Sequence, residues 1–517
     1  MSRSAPAALL STCALLALSL PAAAMDGEEI IEKVCSNCHS QRDDGTYPRI
    51  DDGRRTPEAW DMTVVRMMRN HDVRLSDEER AAVVRLLSET RGLSVAETEG
   101  WRYILEKEPV ATDEAPSEQL AQMCGRCHSY ARVALQRRTR QDWDDLLNFH
   151  LGQFPTLEYQ ALARDRDWWG IANGEVLDFL SETYGYGERV AASEADLSGD
   201  WTIAGRVPGK GDYDGKMQIA REGDGYDLQM QVIYADGDTA DFEGRGLLLG
   251  AGEWRATLTD GSTEIRQVLA LGADGGLSGR WFETDHDVIG GRIVAAKGDA
   301  APRILAAIPS RLRIGETTEI TLTGVGLSGA PVLPAGLSGE VVSESPTEIV
   351  MKITADASAP EGPAEIGLGG LTAGVTVFDR LDRIAVVPDL TIARIGGNGG
   401  PLPKVPAQFE AMGYLDGPDG AAETEDDIEV GYFPASWSTE NFDAVAAAME
   451  DAKFAGSIDA TGRFTPGDAG PNPARPMMTN NAGNLWVVAT VEDGGETLEG
   501  RAHLFATVQR FVDTPIR

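Results

Sequence analysis

Two five-residue stretches, Cys35-Ser-Asn-Cys-His39 and Cys124-Gly-Arg-Cys-His128, constrain this chain more than anything else in it. Each sets two thiols where they can meet the two vinyl groups of a porphyrin, with an imidazole directly behind the second thiol to swing under the iron. The spacing supplies all three groups within about one and a half helical turns. A zinc knuckle or a redox Cys-x-x-Cys explains the pattern less well: both pairs carry the adjacent histidine, and no cysteine remains for a second zinc half-site. The chain is therefore read as holding two covalent c-type haems, on Cys35 and Cys38 and on Cys124 and Cys127, with His39 and His128 as proximal iron ligands.

The amino terminus predicts export. Arg3, an apolar stretch from Ala7 to Leu20 and Ala22-Ala23-Ala24 follow the order of a signal peptide, so residues 1–24 leave and the mature chain starts near Met25. The fifth cysteine, Cys13, leaves with them. No later segment offers about 18 uninterrupted apolar residues, so no membrane span is expected, and the periplasm is the predicted compartment. An oxidising compartment invites disulfides, yet haem takes every remaining thiol, so stability must come from burial. With 46 basic against 82 acidic side chains, net −36, the surface repels nucleic acid and anionic lipid. It either steers toward basic partners or serves solubility alone.

Up to about residue 189 the apolar period is helical. Asp26 with Glu29 opens a helix before the first haem motif, and Ser76 with Glu79 forms a capping box before Val83, Val84, Leu86 and Leu87, stopped at Gly92. Arg54-Arg-Thr56 precedes Trp60 with the same offsets by which Arg137-Arg-Thr139 precedes Trp143, which marks a duplicated module. After residue 190 the period changes to two: Trp254, Ala256 and Leu258 alternate with polar neighbours, as do Ile320 and Leu322. Asp-Gly turns are predicted at Asp214-Gly215, Asp224-Gly225, Asp236-Gly237 and Asp260-Gly261. The expected architecture is an all-α dihaem cytochrome c domain over 25–189 followed by three all-β domains. These are a barrel or sandwich over 190–300, an immunoglobulin-like sandwich over 301–380 and a β-rich domain over 381–517.

An electron-transfer haem fills both axial positions, so that the iron changes charge without opening a site for oxygen or peroxide. For the second haem the distal candidate is His150, the sole histidine after His128 in an interval that holds no methionine up to Lys216. Superposing the repeats on their tryptophans carries His150 onto Met67, the first choice for the first haem. His71, one helical turn further along the same face, is the alternative. Met62 and Met68 are read as packing residues around the porphyrin. With Met67 as ligand the first haem has the higher potential, and electrons enter at the second haem and leave by the first. Of the remaining signals, Gly396-Gly-Asn-Gly-Gly400 reads as a glycine turn, and the acidic stretch from Asp416 to Asp427 as a solvated loop rather than a calcium site. His286 and His503 read as structural or surface residues, and Trp168-Trp169 as a buried pair.

The stretch Cys124-Gly-Arg-Cys-His-Ser-Tyr-Ala-Arg-Val-Ala-Leu-Gln-Arg-Arg138, with Asn148-Phe-His-Leu-Gly-Gln153, Leu157-Glu-Tyr-Gln160 and Gly470-Pro-Asn-Pro-Ala-Arg-Pro-Met-Met-Thr-Asn-Asn-Ala-Gly-Asn484, resembles the large (alpha) subunit of quinohemoprotein amine dehydrogenase. The resemblance covers essentially the whole mature chain. It implies a periplasmic heterotrimer with a β-propeller subunit and a small subunit bearing a cysteine tryptophylquinone, which oxidises primary amines to aldehyde and ammonia. It also implies that this chain passes the electrons to a soluble copper protein or cytochrome c, and that the quinone and the catalytic base lie on another chain. No catalytic residue is therefore assigned here. Two rival readings are a self-contained dihaem peroxidase, which needs an open distal position, and a non-enzymatic dihaem shuttle docking to a respiratory complex.

Overall fold

A computed structural model describes residues 25–153, 167–400 and 402–508. The expected signal peptide, residues 1–24, and Leu157-Glu-Tyr-Gln160 lie outside the described residues.

The first haem motif follows helix α1 (Gly27–Lys33), whose entry is fixed by Asp26 accepting the Glu29 amide at 2.8 Å. Helix α2 (Pro57–Asn70) begins with Thr56 as cap and proline at its first position, and α3 (Asp77–Arg91) carries the full Ser76–Glu79 capping box and stops at Gly92. Helices α1 and α2 both rest on α3, burying Ile30, Ile31, Trp60, Val64, Val83 and Leu87. The second repeat uses Glu118–Met123, Arg140–Gln153 and Leu177–Thr183, with Tyr130, Trp143, Leu147, Trp168, Val176 and Leu180 in its core. The two repeat tryptophans do the same job: Trp60 Nε1 donates to the Arg91 carbonyl at 3.0 Å and Trp143 Nε1 to that of Tyr184 at 3.1 Å. Each pins a long helix to the end of its repeat's last helix.

An all-α haem region is the expectation that fails. Strands β1 (Gly53–Arg55) and β2 (Gln136–Arg138) pair antiparallel, Arg54 opposite Arg137, and join the two repeats. The cause is the cap at the helix start. Thr56 is extended (φ −66°, ψ 160°), so the chain must enter α2 extended, and the matching entry to the second repeat supplies the backbone partner.

Beyond residue 190 the chain is β. Eight strands, β3 (Gly199–Val207), β4 (Gly211–Glu222), β5 (Gly225–Tyr234), β6 (Thr239–Leu249), β7 (Glu253–Thr259), β8 (Glu264–Leu271), β9 (Leu277–Glu283) and β10 (Gly290–Lys297), close into an antiparallel barrel. Its interior is filled by Trp201, Tyr213, Tyr226, Phe242, Trp254 and Trp281, so it is a packed core and not a ligand cavity. Asp236-Gly237 and Asp260-Gly261 close hairpins with positive φ at the glycine, and the β4–β5 turn falls at Gly223-Asp224. Asp214-Gly215 is not a turn. It lies inside β4, where a Cβ on Gly215 would come within 2.0 Å of the Gln231 carbonyl oxygen, so that glycine admits the neighbouring strand.

Two four-stranded sheets spanning Arg303–Phe378 then face each other across Leu312, Ile320, Leu322, Ile353, Ile366 and Val377. Three further sheets between Arg383 and Thr507 enclose Phe409, Phe464, Leu485, Val487 and Leu504. No helix among the described residues is long and apolar enough to cross a membrane.

The barrel docks on the haem region through charge. Glu253, 3 % exposed, takes Arg102 Nη1 at 2.7 Å and Arg255 Nη2 at 2.9 Å, Arg255 continues to Glu58 at 2.5 Å, and Arg292 reaches Glu106 at 2.6 Å. At its buried centre, Glu253 with Arg102 and Arg255, the network fixes orientation more than it adds stability, because those ions lose their water.

Candidate functional site

Val34 closes α1, Cys35 starts a 3₁₀ turn over Cys35–Asn37, and the His39 amide returns to the Cys35 carbonyl at 3.0 Å. Both thiols and the imidazole therefore leave one short turn. Cys124 likewise caps Glu118–Met123. Among the described residues all four cysteines are free; Cys38 and Cys127 are exposed, while Cys35 and Cys124 pack against the cores of their repeats. Burial pushes the Cys124 thiol up to about 12, and burial followed by the charge of Cys38 raises Cys35. That direction is opposite to what a redox-active dithiol or a zinc thiolate site needs.

Three of the sequence-predicted histidines share one arrangement. His39 Nδ1 lies 3.0 Å from the Pro48 carbonyl oxygen, His128 Nδ1 2.9 Å from that of Ser129, and His150 Nδ1 2.8 Å from that of Leu146. A carbonyl can only accept, so in the neutral ring Nδ1 carries the hydrogen and Nε2 carries the lone pair. Burial is the leading cause that lowers the pKa of all three, which keeps the ring in the neutral form that ligates a metal. This is the tautomer and orientation a haem-iron histidine requires, so the residues fit the group their spacing predicts.

His150 is among the charges that depress His128, and His71 is among those that depress His39. Met67 follows Trp60 and Val64 along α2, and its carbonyl accepts the amides of His71 and Val73 where the helix ends. Met68 packs against the cluster that includes Cys35, whereas Met62 Sδ receives Arg66 at 3.1 Å and Arg132 at 3.5 Å. Trp168 is buried and stacked on Trp169 at 5.9 Å in the core that Cys124 touches.

The arginines around the ribbon were visible in the sequence as a repeat, with no role attached. On one face Arg54 and Arg137 meet Glu97 at 2.7 and 3.2 Å; on the other Arg55 and Arg138 both turn to Asp142. Each of the latter pair lies over its own repeat's tryptophan, at 4.3 Å for Arg55 on Trp60 and 5.5 Å for Arg138 on Trp143.

Elsewhere the carboxylates of the acidic loop are engaged internally: Asp427 pairs with Arg383, and Asp426 accepts the Asp419 amide and the Thr424 hydroxyl. Among the described residues no group of three or more His, Cys, Asp or Glu gathers as an ion site. His503 stacks on Phe442 at 4.0 Å within an aromatic group that includes Trp486 and Phe505.

Four family models match consecutive parts of the chain. They are described as "Quinohemoprotein amine dehydrogenase A, alpha subunit, haem binding" over 25–191, and as alpha subunit domain II over 194–298, domain III over 301–379 and domain IV over 384–516. Comparison with curated proteins gives no match. Among solved structures, a redesigned β-barrel, mFAP1, bound to DFHBI is 16 % identical over 19 % of this chain and 91 % of its own, with a TM-score of 0.17. Mouse clustered PcdhgC3 EC1-3 is 14 % identical over 46 % and 78 %, with 0.18, and Drosophila N-cadherin EC1-3 is 9 % identical over 62 % and 92 %, with 0.19. Scores this low carry no weight for fold or function.

Proposed function

Because the chain belongs to the quinohemoprotein amine dehydrogenase alpha-subunit family, we propose that it is the dihaem electron-transfer subunit of a periplasmic complex that oxidises primary amines. The observation that carries this is the paired set of anchored histidines, each behind its own pair of free thiols. When bound, each haem supplies an iron that takes up and returns one electron.

The chain's residues do the rest. Cys35 and Cys38, and Cys124 and Cys127, tether the two groups; Pro48 and Ser129 hold His39 and His128 with Nε2 as the ligating nitrogen. His150, anchored on Leu146, would give the iron of the second haem its other ligand. For the first haem Met67, with His71 as the alternative, would supply the second ligand, both standing at the end of α2. Irons each held by two side chains would leave no place for peroxide, which weighs against the peroxidase reading. The amine-oxidising quinone then sits on a small partner subunit beside a β-propeller subunit, with a soluble copper protein or cytochrome c as acceptor.

Purification of the native complex tests this. Adding a primary amine should reduce both haems in the complex and neither in the isolated chain. A chain that carries no covalent porphyrin, or that turns over amine or peroxide unaided, would overturn the reading.

A further inference from the structure

Arginine is oversupplied where the two repeats meet. Arg55 and Arg138 are 5 % and 6 % exposed, and Asp142 is the carboxylate they share. Arg49 competes for the same carboxylate at 3.1 Å, although it also reaches Asp145 at 2.9 Å. Arg66, half-buried on α2, meets only the Met62 sulfur among the described residues, and Arg132 approaches the same sulfur. Arg55 is the extreme case. It stands 3.7 Å from Asp142, beyond hydrogen-bond range, and its Nη1 is buried with no partner. Its guanidinium lies over Gly53, where a Cβ would sit 3.0 Å from Nη2, so the ribbon keeps a glycine to leave room for it.

A buried guanidinium without an anion is unstable, and natural interiors pair such groups. We propose that Arg55 and Arg138 hold a propionate carboxylate of the haem tethered at Cys124 and Cys127. A planar guanidinium fork matches a carboxylate in a way a lysine cannot. Placement favours the second haem. Arg132 follows His128 by four residues, Arg138 leads into the helix that bears His150, and Arg138, Arg132 and Arg66 are the charges that His150 feels. Burial, followed by the like charge of Arg138, drives Arg55 well below its ordinary pKa, and Asp142 offsets this only in part. The charged and titratable groups gathered at this joint are Arg55 from β1, Arg138 from β2, Arg66 from α2, Arg132 from the short helix Ala131–Ala134, Arg49 from the turn before β1, and Asp142 with His150 from Arg140–Gln153. The inference rests on the dihaem reading.

The test uses the holoprotein with haem labelled at the propionate carbons, haem content being read first by pyridine haemochrome. In the wild type, at least one labelled propionate should stay ionised in the infrared spectrum below about pH 4, where a free carboxyl loses its charge. Chloride should leave both midpoints unchanged. In Arg55→Leu the second haem should favour oxidation about tenfold more, a fall of about 59 mV for one electron, with a new pH dependence, and Arg55→Lys should recover most of the potential. Labelled propionates that all titrate normally, a chloride-dependent midpoint, or an Arg55→Leu protein with full haem and unchanged potentials would each overturn the proposal. The wild-type arms stand even if Arg55→Leu does not fold, and absence of a haemochrome would sink the haem reading itself.

Discussion

Replacing Glu97 by glutamine should loosen the joint between the two repeats more than any surface substitution. Glu97 receives Arg54 at 2.7 and 3.0 Å, Arg137 at 3.2 Å and the Ser94 amide at 2.8 Å. Arg54 is 3 % exposed, while the Glu97 side chain retains 21 %. Glutamine keeps the size and removes the charge, leaving two guanidinium groups that face each other across the β1–β2 pair with nothing between them. Breaking a fully buried pair costs about 3–5 kcal/mol, and the partial exposure of Glu97 brings the expectation to about 2–4 kcal/mol. Guanidinium unfolding of the holoprotein followed at the haem band reports on this region directly, whatever the β domains do. The pH dependence has a defined sign. Burial works to raise Glu97, but Arg54, Ser94 and Arg137 outweigh it and its pKa is lowered. Its contribution is therefore present above the ordinary glutamate value and lost as pH falls through the lower folded value. The gap between wild type and Glu97→Gln should narrow below about pH 4. In Glu97→Gln with Arg54→Met the cost should fall short of the two single costs added, by about 0.5–3 kcal/mol. A loss under about 0.5 kcal/mol, or strict additivity, refutes the argument.

Met67→Ala should change the ligand signature of the first haem in magnetic circular dichroism while His71→Ala leaves it; the reverse result makes His71 the ligand. Acid should release the barrel from the haem region, because Glu253, which burial would raise, is lowered by Arg255 and Arg102 and loses its charge only below the ordinary glutamate range. Glu253→Gln should make the proteolytic sensitivity of that joint at neutral pH resemble that of acidified wild type; equal resistance of the two proteins at neutral pH contradicts this. Gln267, fully buried, accepts Trp254 Nε1 at 3.0 Å inside the barrel, so Gln267→Ala strands that donor and opens a void. A loss of about 2–4 kcal/mol is expected by calorimetry, and a change under about 1 kcal/mol would show that the barrel can collapse around the gap.

The haem motifs, the capping box at Ser76 and the alternation through Trp254 to Leu258 were legible because each is written within one turn or one strand, where neighbours in sequence are neighbours in space. The Arg-Arg-Thr repeat was also plain, yet its meaning was not. Extended entry to each helix follows from the threonine caps, but which other extended segment completes the hydrogen bonds is a pairing between residues 53–55 and 136–138 that no local period encodes. The same limit applies to Asp214-Gly215, whose turn chemistry yields to the close approach of Gln231 on the next strand.

By itself the sequence determined the chemistry that needs only adjacency: thiol, thiol and imidazole in one turn, twice, ahead of strands with one apolar face. Tertiary structure alone decided what stands across from what. It set Glu97 between Arg54 and Arg137, and Arg55 against a single shared carboxylate. The reason is that electrostatic pairing depends on distance through space and on lost solvent, and both come into being only when remote segments close on one another.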